Sequence, residues 1–289
     1  MTLRVLEPGI LTTVQDRGRF GLAHLGVPRA GALDAPAAAM ANRLVGNEPD
    51  DAVLEILLGD VRLHVEDGFW VVLTGAPCPL SVAGEARGDA RPEWVPAGST
   101  LRLGTPATGV RSYVAVAGGI AVDPVLGSRS TDTLAWVGPP RVVADAVLVV
   151  GRPRGEPQPL DTPRSPRRGP LRVSPGPRDD WFCGDAIDRL CGSTYVVSAD
   201  SDRIGLRLEG PALRRTRSEE LASEGMVLGA VQVPPDGRPV VFLADHPPTG
   251  GYPVIGVVDE EDLWQCAQLR PGEEVRFSRR PPDPGDATL

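Results

Sequence analysis

The sequence predicts a mainly β protein: two tandem small β-barrel domains with a few short helices. Three observations carry that reading. Hydrophobic residues make up 41% of the chain but aromatics only 4%, while 34 glycines and 31 prolines break it often enough to favour short strands over long helices. A length of 289 residues exceeds the usual single domain. The second half also repeats the first in order.

The elements follow from local pattern. Leu3 to Leu6 open as a strand stopped by Pro8-Gly9, and residues 10–14 continue it. Gln15-Asp16-Arg17-Gly18-Arg19-Phe20-Gly21 is a charged, glycine-punctuated loop, followed by His24. Asp34 caps a helix with Pro36 in its first turn; Ala37, Met40, Ala41 and Leu44 keep helical spacing until Gly46-Asn47. Strands are expected over residues 56–65, 69–73, 101–103, 113–117 and 142–150. Gly127-Ser128-Arg129-Ser130-Thr131-Asp132 is a polar loop without the GxSxG elbow of a hydrolase. In the second half, Asp179 or Asp180 caps a helix running through Trp181, Ala186 and Leu190, and a short helix is expected near residues 259–269.

The repeat is read by aligning the halves. Leu171-Arg172-Val173 with Pro175-Gly176 echoes Leu3-Arg4-Val5 with Pro8-Gly9, and Gly229, Val231 and Val233 fall 170 positions after Gly59, Val61 and Leu63. Asp236-Gly237 and Val240-Val241-Phe242 follow Asp67-Gly68 and Val71-Val72-Leu73 at an offset of 169. Closing each copy into a barrel removes exposed strand edges. The proline- and arginine-dense residues 152–170 read as a linker, giving domains over residues 1–160 and 161–289.

Composition also excludes functions. A net charge of −8 and a pI near 5.0 argue against nucleic-acid binding, and the RSPRR run at residues 164–168 reads as solvated linker. No apolar run has membrane-spanning length and the N-terminal residues lack signal-peptide character, so a cytoplasmic protein without membrane contact is expected. Cys78, Cys183, Cys191 and Cys266 and the three histidines are too scattered for a disulfide framework or a metal site, and no metal ligands are assigned. All 30 basic residues are arginine. A P-loop lysine, a Schiff-base lysine and a biotin attached to this chain are thereby excluded.

The most informative stretch is residues 223–253. Two apolar runs, 226–233 and 239–243, flank Pro234-Pro235-Asp236-Gly237 and read as a hairpin. Asp245, His246, Pro247, Pro248, Thr249, Gly250, Gly251 and Tyr252 follow, placing acid, imidazole, hydroxyl and phenol beside two unobstructed backbone amides. Such a loop holds a small-molecule ligand, or is a stiffened turn with a glycine bulge. Ser201-Asp202-Arg203-Ile204-Gly205 is a second polar loop in the same half, expected to face the same cleft.

TTVQDRGRFG, GALD with ANRLVGN, VAGGI with GSRST, SDRIGLRLEGP, SEGMVLGAVQVPPDG and TGGYP together resemble, across nearly the whole chain, the family of 5-oxoprolinase C subunits. This family is also called the allophanate hydrolase subunit 2 or biotin-dependent carboxyltransferase-like family. The resemblance implies two cyclophilin-like barrels, a partner protein of the B type, a further one of the A type, and opening of 5-oxoproline to glutamate with ATP and magnesium in the complex. Alternatives within the resemblance are a carboxyltransferase-type component of a urea-degrading system and a non-catalytic antagonist of a sporulation-kinase inhibitor. Family members usually carry two threonines before the double glycine, whereas Pro248 stands before Thr249 here, which puts one hydroxyl contact in doubt.

For lactam opening, Arg203 and Arg19 are the candidate cations for phosphate or carboxylate, and Thr249 with the Gly250 and Gly251 amides the oxyanion donors. Asp245 or His246 would handle a proton or magnesium. Gln232, interrupting an apolar strand, orients a substrate amide or is a hydrogen-bonded barrel glutamine. Asp202, Tyr252, Gln15, Asp16 and His24 complete the candidate binding set.

Overall fold

The computed structural model describes residues 1–158, 168–217 and 219–281. Its chain separates into two compact units, Met1–Pro166 and Arg167–Leu289. The expected boundary at residues 160/161 and most of the RSPRR run lie outside the described residues.

Among the described residues, the N-terminal unit holds eleven strands and one α-helix. Its six-stranded antiparallel sheet contains β1 (Thr2–Pro8), β4 (Val61–Val65), β6 (Leu80–Val82), β7 (Glu85–Arg87), β9 (Thr100–Leu103) and β11 (Val147–Val149), in the order β11-β1-β4-β9-β6-β7. The five-stranded sheet contains β2 (Leu11–Gln15), β3 (Val53–Leu57), β5 (Phe69–Gly75), β8 (Glu93–Val95) and β10 (Arg111–Val116), in the order β2-β3-β10-β5-β8. Both sheets contribute to one core that includes Leu3, Val5, Leu63 and Leu101 from the first and Leu54, Ile56, Leu73 and Val114 from the second. Helix α1 (Ala35–Leu44) covers the other face of the five-stranded sheet, packing Ala37, Ala41 and Leu44 against Val53, Val72, Tyr113 and Ala115. With both faces covered, β10 is buried at every position and loses the polar alternation of a surface strand. The Asp34 cap forms as expected, its Oδ1 accepting from Ala37 N at 3.0 Å.

Two strand expectations are corrected. Residues 56–65 break into β3 and β4, which join different sheets, because Leu58, Gly59 and Asp60 all take left-handed backbone at φ 57, 73 and 55°. The strand expected over residues 142–150 shortens to β11. Val142 N instead donates to Thr12 O (2.8 Å) and Asp145 N to Val5 O (2.8 Å), so this segment passes from one sheet to the other.

The C-terminal unit is a closed barrel. Strands β12 (Leu171–Pro175), β13 (Thr194–Val197), β14 (Gly205–Glu209), β16 (Ala230–Gln232), β17 (Val240–Phe242), β19 (Val254–Val258) and β20 (Glu274–Arg279) run in the order β12-β19-β16-β17-β14-β13-β20. A parallel β12/β20 pair closes the ring, leaving no free edge. The remaining strands, β15 (Glu224–Gly225) and β18 (Thr249–Gly250), form a two-stranded ladder of their own. The helix expected from Asp179 to Leu190 splits into a 3-10 turn, Asp179–Trp181, and α2 (Ala186–Gly192). Between them Phe182 bridges to Arg215. A last helix, α3 (Leu263–Gln268), follows the 3-10 turn Glu260–Asp262. No helix among the described residues is long and apolar enough to cross a membrane.

Candidate functional site

The hairpin β16/β17 forms as the sequence implies, with Val231 opposite Val241, Gln232 opposite Val240, and Gly237 at φ 77° in the turn. Beyond β17 the chain keeps pairing with the loop before β14: Leu243 N donates to Ile204 O (2.9 Å) and Asp245 N to Arg203 O (3.0 Å). Asp202 folds that loop, its Oδ1 accepting from Ile204 N (2.8 Å) and Gly205 N (3.0 Å), which leaves its side chain on the turn. Arg203 is turned inward. Its Nε donates to Asp245 Oδ2 at 2.8 Å and its Nη2 to Oδ1 at 2.9 Å, with the two side chains 2% and 0% exposed. The loops 201–205 and 245–252 are therefore joined by a buried, two-pronged ion pair.

That geometry relocates two expected roles. Both Asp245 oxygens are engaged by the Arg203 fork, so the pair is a foundation of the site. His246 is also buried; its Nδ1 lies 2.8 Å from Pro247 O and its ring stacks on Phe242 with centroids 5.8 Å apart.

Above this base the polar loop becomes a strap. Thr249 pairs with Gly225 and Gly250 with Glu224, and Met226 N donates to Pro248 O at 2.9 Å. The Arg178 guanidinium grips Glu224 from the other side, Nε to Oε2 at 3.0 Å and Nη2 to Oε1, and these hydrogen bonds hold the Glu224 carboxyl below its usual pKa. Gln232 is buried and its Nε2 donates to Tyr252 O at 3.1 Å, so the glutamine that interrupts the strand orients the strap's main chain. A β-carbon at Gly250 would stand 2.7 Å from that same Nε2. Any side chain at position 250 would therefore push the Gln232 amide aside.

Gly251 and Tyr252 line a broad cavity of about 1280 Å³. Arg214, Arg215, Arg217, Glu219, Glu220 and Asp236 contribute the charged lining. Thr216 N donates to Trp181 O (2.8 Å) and Cys183 N to Arg214 O (3.1 Å), which ties the arginine run to the segment before α2. The Arg215 and Arg217 guanidinium carbons lie 5.9 and 5.5 Å from the Trp181 ring centroid. Sequence reasoning missed these arginines. The signal was the run Arg214-Arg215-Thr216-Arg217 just before the strap.

The candidates in the N-terminal unit form a different structure. Asp16 accepts at Oδ1 from Ser128 Oγ (2.6 Å) and Ser130 Oγ (2.5 Å), and at Oδ2 from Arg129 N (2.6 Å). Arg19 is 3% exposed and donates to the carbonyls of Val125 (3.1 Å), Ser130 (2.5 Å) and Val137 (3.3 Å). Gln15 Nε2 donates to Thr13 Oγ1 (3.0 Å) and Thr131 O (2.9 Å). Gln15, Asp16 and Arg19 thereby clamp the 15–19 loop onto the 122–138 loop, while His24 is exposed with Nδ1 3.0 Å from Gly21 O.

The family described as carboxyltransferase domain, subdomain A and B, matches residues 25–279. The chain belongs to the carboxyltransferase domain family. Within that family it is 39% identical to the 5-oxoprolinase C subunit of Escherichia coli K12 over 285 residues, covering 95% of this chain and 90% of that protein. The crystal structure of TTHA0988 superposes with a TM-score of 0.86 at 39% identity over 96% of this chain and 55% of the other. The urea amidolyase of K. lactis gives a TM-score of 0.88 at 29% identity, over 97% of this chain and 19% of that enzyme. The carboxyltransferase-family chain thus spans about half of TTHA0988 and a fifth of urea amidolyase.

The cavity lining does not fit a polyphosphate: its three arginines share it with three carboxylates, and the chain has no lysine. Among the described residues no three His, Cys, Asp or Glu side chains are grouped to hold a metal ion.

Proposed function

We propose that this chain is the C subunit of an ATP-dependent 5-oxoprolinase, acting with partner proteins of the B and A types to open 5-oxo-L-proline to L-glutamate. The observation that supports it is the 39% identity to the E. coli 5-oxoprolinase C subunit over nearly the full length of both chains. The urea-system alternative is less well supported, because the matching region is a fifth of urea amidolyase and this lysine-free chain carries no biotin.

In this reading the strap and the cavity hold the lactam, and ATP and magnesium are held by the partner proteins in the cytoplasm. The net reaction adds water across the lactam C–N bond: oxygen joins the carbonyl carbon and a proton passes to nitrogen. This chain's part is positional. The Arg203–Asp245 pair fixes the ends of two loops and Gln232 sets the Tyr252 carbonyl and hence the strap, while Thr249 and the Gly251 amide are the donors proposed for the oxygen that gains negative charge. A cavity of about 1280 Å³ is larger than a small lactam needs, leaving space for a partner to cover it and exclude water. The test is 5-oxoproline-dependent ATP hydrolysis in the reconstituted complex. Hydrolysis that does not respond to 5-oxoproline would refute the reading.

A further inference from the structure

The two arginines chosen from sequence are committed elsewhere, Arg203 to Asp245 and Arg19 to three main-chain carbonyls. A site for an anionic substrate in a lysine-free chain needs another guanidinium. We propose that Arg215, assisted by Arg214, is the anchor for the carboxylate of a small monocarboxylic acid bound in the cavity beside Gly251 and Tyr252; this rests on the lactam-opening reading above.

Three observations converge on Arg215. Its Nε is buried and has no hydrogen-bond partner among the described residues, while its Nη2 reaches only the Glu219 carbonyl, at 3.4 Å. The Nε itself is sealed from the cavity, so the Nη end of the guanidinium, held only by that long carbonyl contact, is the part left to take a carboxylate. Its backbone is fixed by the bridge to Phe182 and its guanidinium lies over Trp181, so little side-chain freedom remains to be lost on binding. Neither Arg214 nor Arg215 has a carboxylate in ion-pair contact among the described residues. Arg217, which shares the Trp181 platform, is instead paired with Asp180 at 2.7 Å and acts as a buttress.

The rest of the lining selects the ligand class. With Arg217 neutralised by Asp180, Arg214 and Arg215 share the lining with Glu219, Glu220 and Asp236, which disfavours a di- or triphosphate and limits the site to a ligand of low charge. The Gly251 main chain and the phenol of Tyr252, 43% exposed, also line the cavity and offer hydrogen-bonding groups for a neutral amide. A carboxylate and an amide within one small molecule describe 5-oxoproline.

The experiment compares the wild-type complex with complexes carrying Arg215→Gln, Arg214→Gln or, as a control on exposed α2, Arg189→Gln. The KM for 5-oxoproline should rise about ten- to a hundredfold in Arg215→Gln and less in Arg214→Gln, with kcat nearly unchanged, the loss expected for one charge-assisted contact. The control should match wild type. The isolated chain is titrated in parallel with 5-oxoproline and with its carboxamide, which lacks the charge; wild type should prefer the acid and Arg215→Gln should not. Turnover with unchanged KM in both cavity variants would overturn the proposal and leave the function standing. A complex without turnover, in which the wild-type chain still prefers the acid and Arg215→Gln does not, would overturn the function and sustain the anchor. No preference for the acid in the wild-type chain would overturn the anchor. Exposed Arg214→Gln gives the same readout if Arg215→Gln does not fold.

Discussion

Arg203 and Asp245 lie 42 residues apart and meet in the interior through two hydrogen bonds of 2.8 and 2.9 Å. The arginine expected to touch substrate holds together the loops that build the site. Arg203→Ala leaves the Asp245 carboxylate buried without its fork and should cost about 3–5 kcal/mol of stability. Arg203→Lys should also lose stability, since an ammonium cannot form both bonds. Urea denaturation checks this. The paired replacement Arg203→Met with Asp245→Leu should recover much of the loss, and an Arg203→Ala protein as stable as wild type would contradict the finding.

Gly250→Ala tests the strap. The new methyl would stand 2.7 Å from Gln232 Nε2 and 3.2 Å from Met226 Cγ, displacing the glutamine from the Tyr252 carbonyl. Because the end of a side chain can yield, the stability cost should be only about 1 kcal/mol, near the low end for overpacking. Turnover of the complex should fall far more than stability does. Equal proportional losses in both would show that Gln232 has no positioning role.

Much of the fold was legible wherever local chemistry decides local structure. Pro234-Pro235-Asp236-Gly237 between apolar runs gave the hairpin, and Asp34 with Pro36 gave the start of α1. Legibility failed where backbone or long-range pairing overrides composition. Leu58 and Asp60 take positive φ without being glycine, so the break between β3 and β4 is announced only by the short Gly59-Asp60 turn signal inside an otherwise strand-like run. At the site, the strap and its neighbouring loop were legible as unusual polar sequence in one half. Which side chains face inward was not: Asp245 and Arg203 neutralise each other between neighbouring loops, whereas Arg215 reads as surface charge until Trp181 is seen beneath it.

Acid should loosen the strap. Arg178 lowers the folded-state pKa of Glu224 from its ordinary 4.5, so the pair's contribution is fully present above pH 4.5 and is lost as pH falls through the folded value. Wild type should be more stable than Glu224→Gln at neutral pH, and the gap should narrow below pH 4.5. A gap that stays constant on acidification, followed by urea midpoints, would remove Glu224 from the account.

Burial pushes the Cys266 thiol up to about 12 and leaves the residue 2% exposed. Since the thiolate is the reactive species, iodoacetamide at pH 8 should leave Cys266 unmodified in the folded protein and label it in urea. Mass spectrometry of the alkylated peptide reads the outcome. Native labelling at the unfolded rate would show that helix α3 opens readily.

The central claim is that this chain supplies a positioning site completed by partner proteins. Glutamate release from 5-oxoproline with ATP and magnesium tests it most directly, measured for the chain alone, with the B-type partner, with the A-type partner, and with both. Release is expected only from the complete set, and the complete set built with Gly250→Ala should be impaired. Full turnover by the isolated chain would contradict the shared site, and no turnover by the complete set would contradict the assigned reaction.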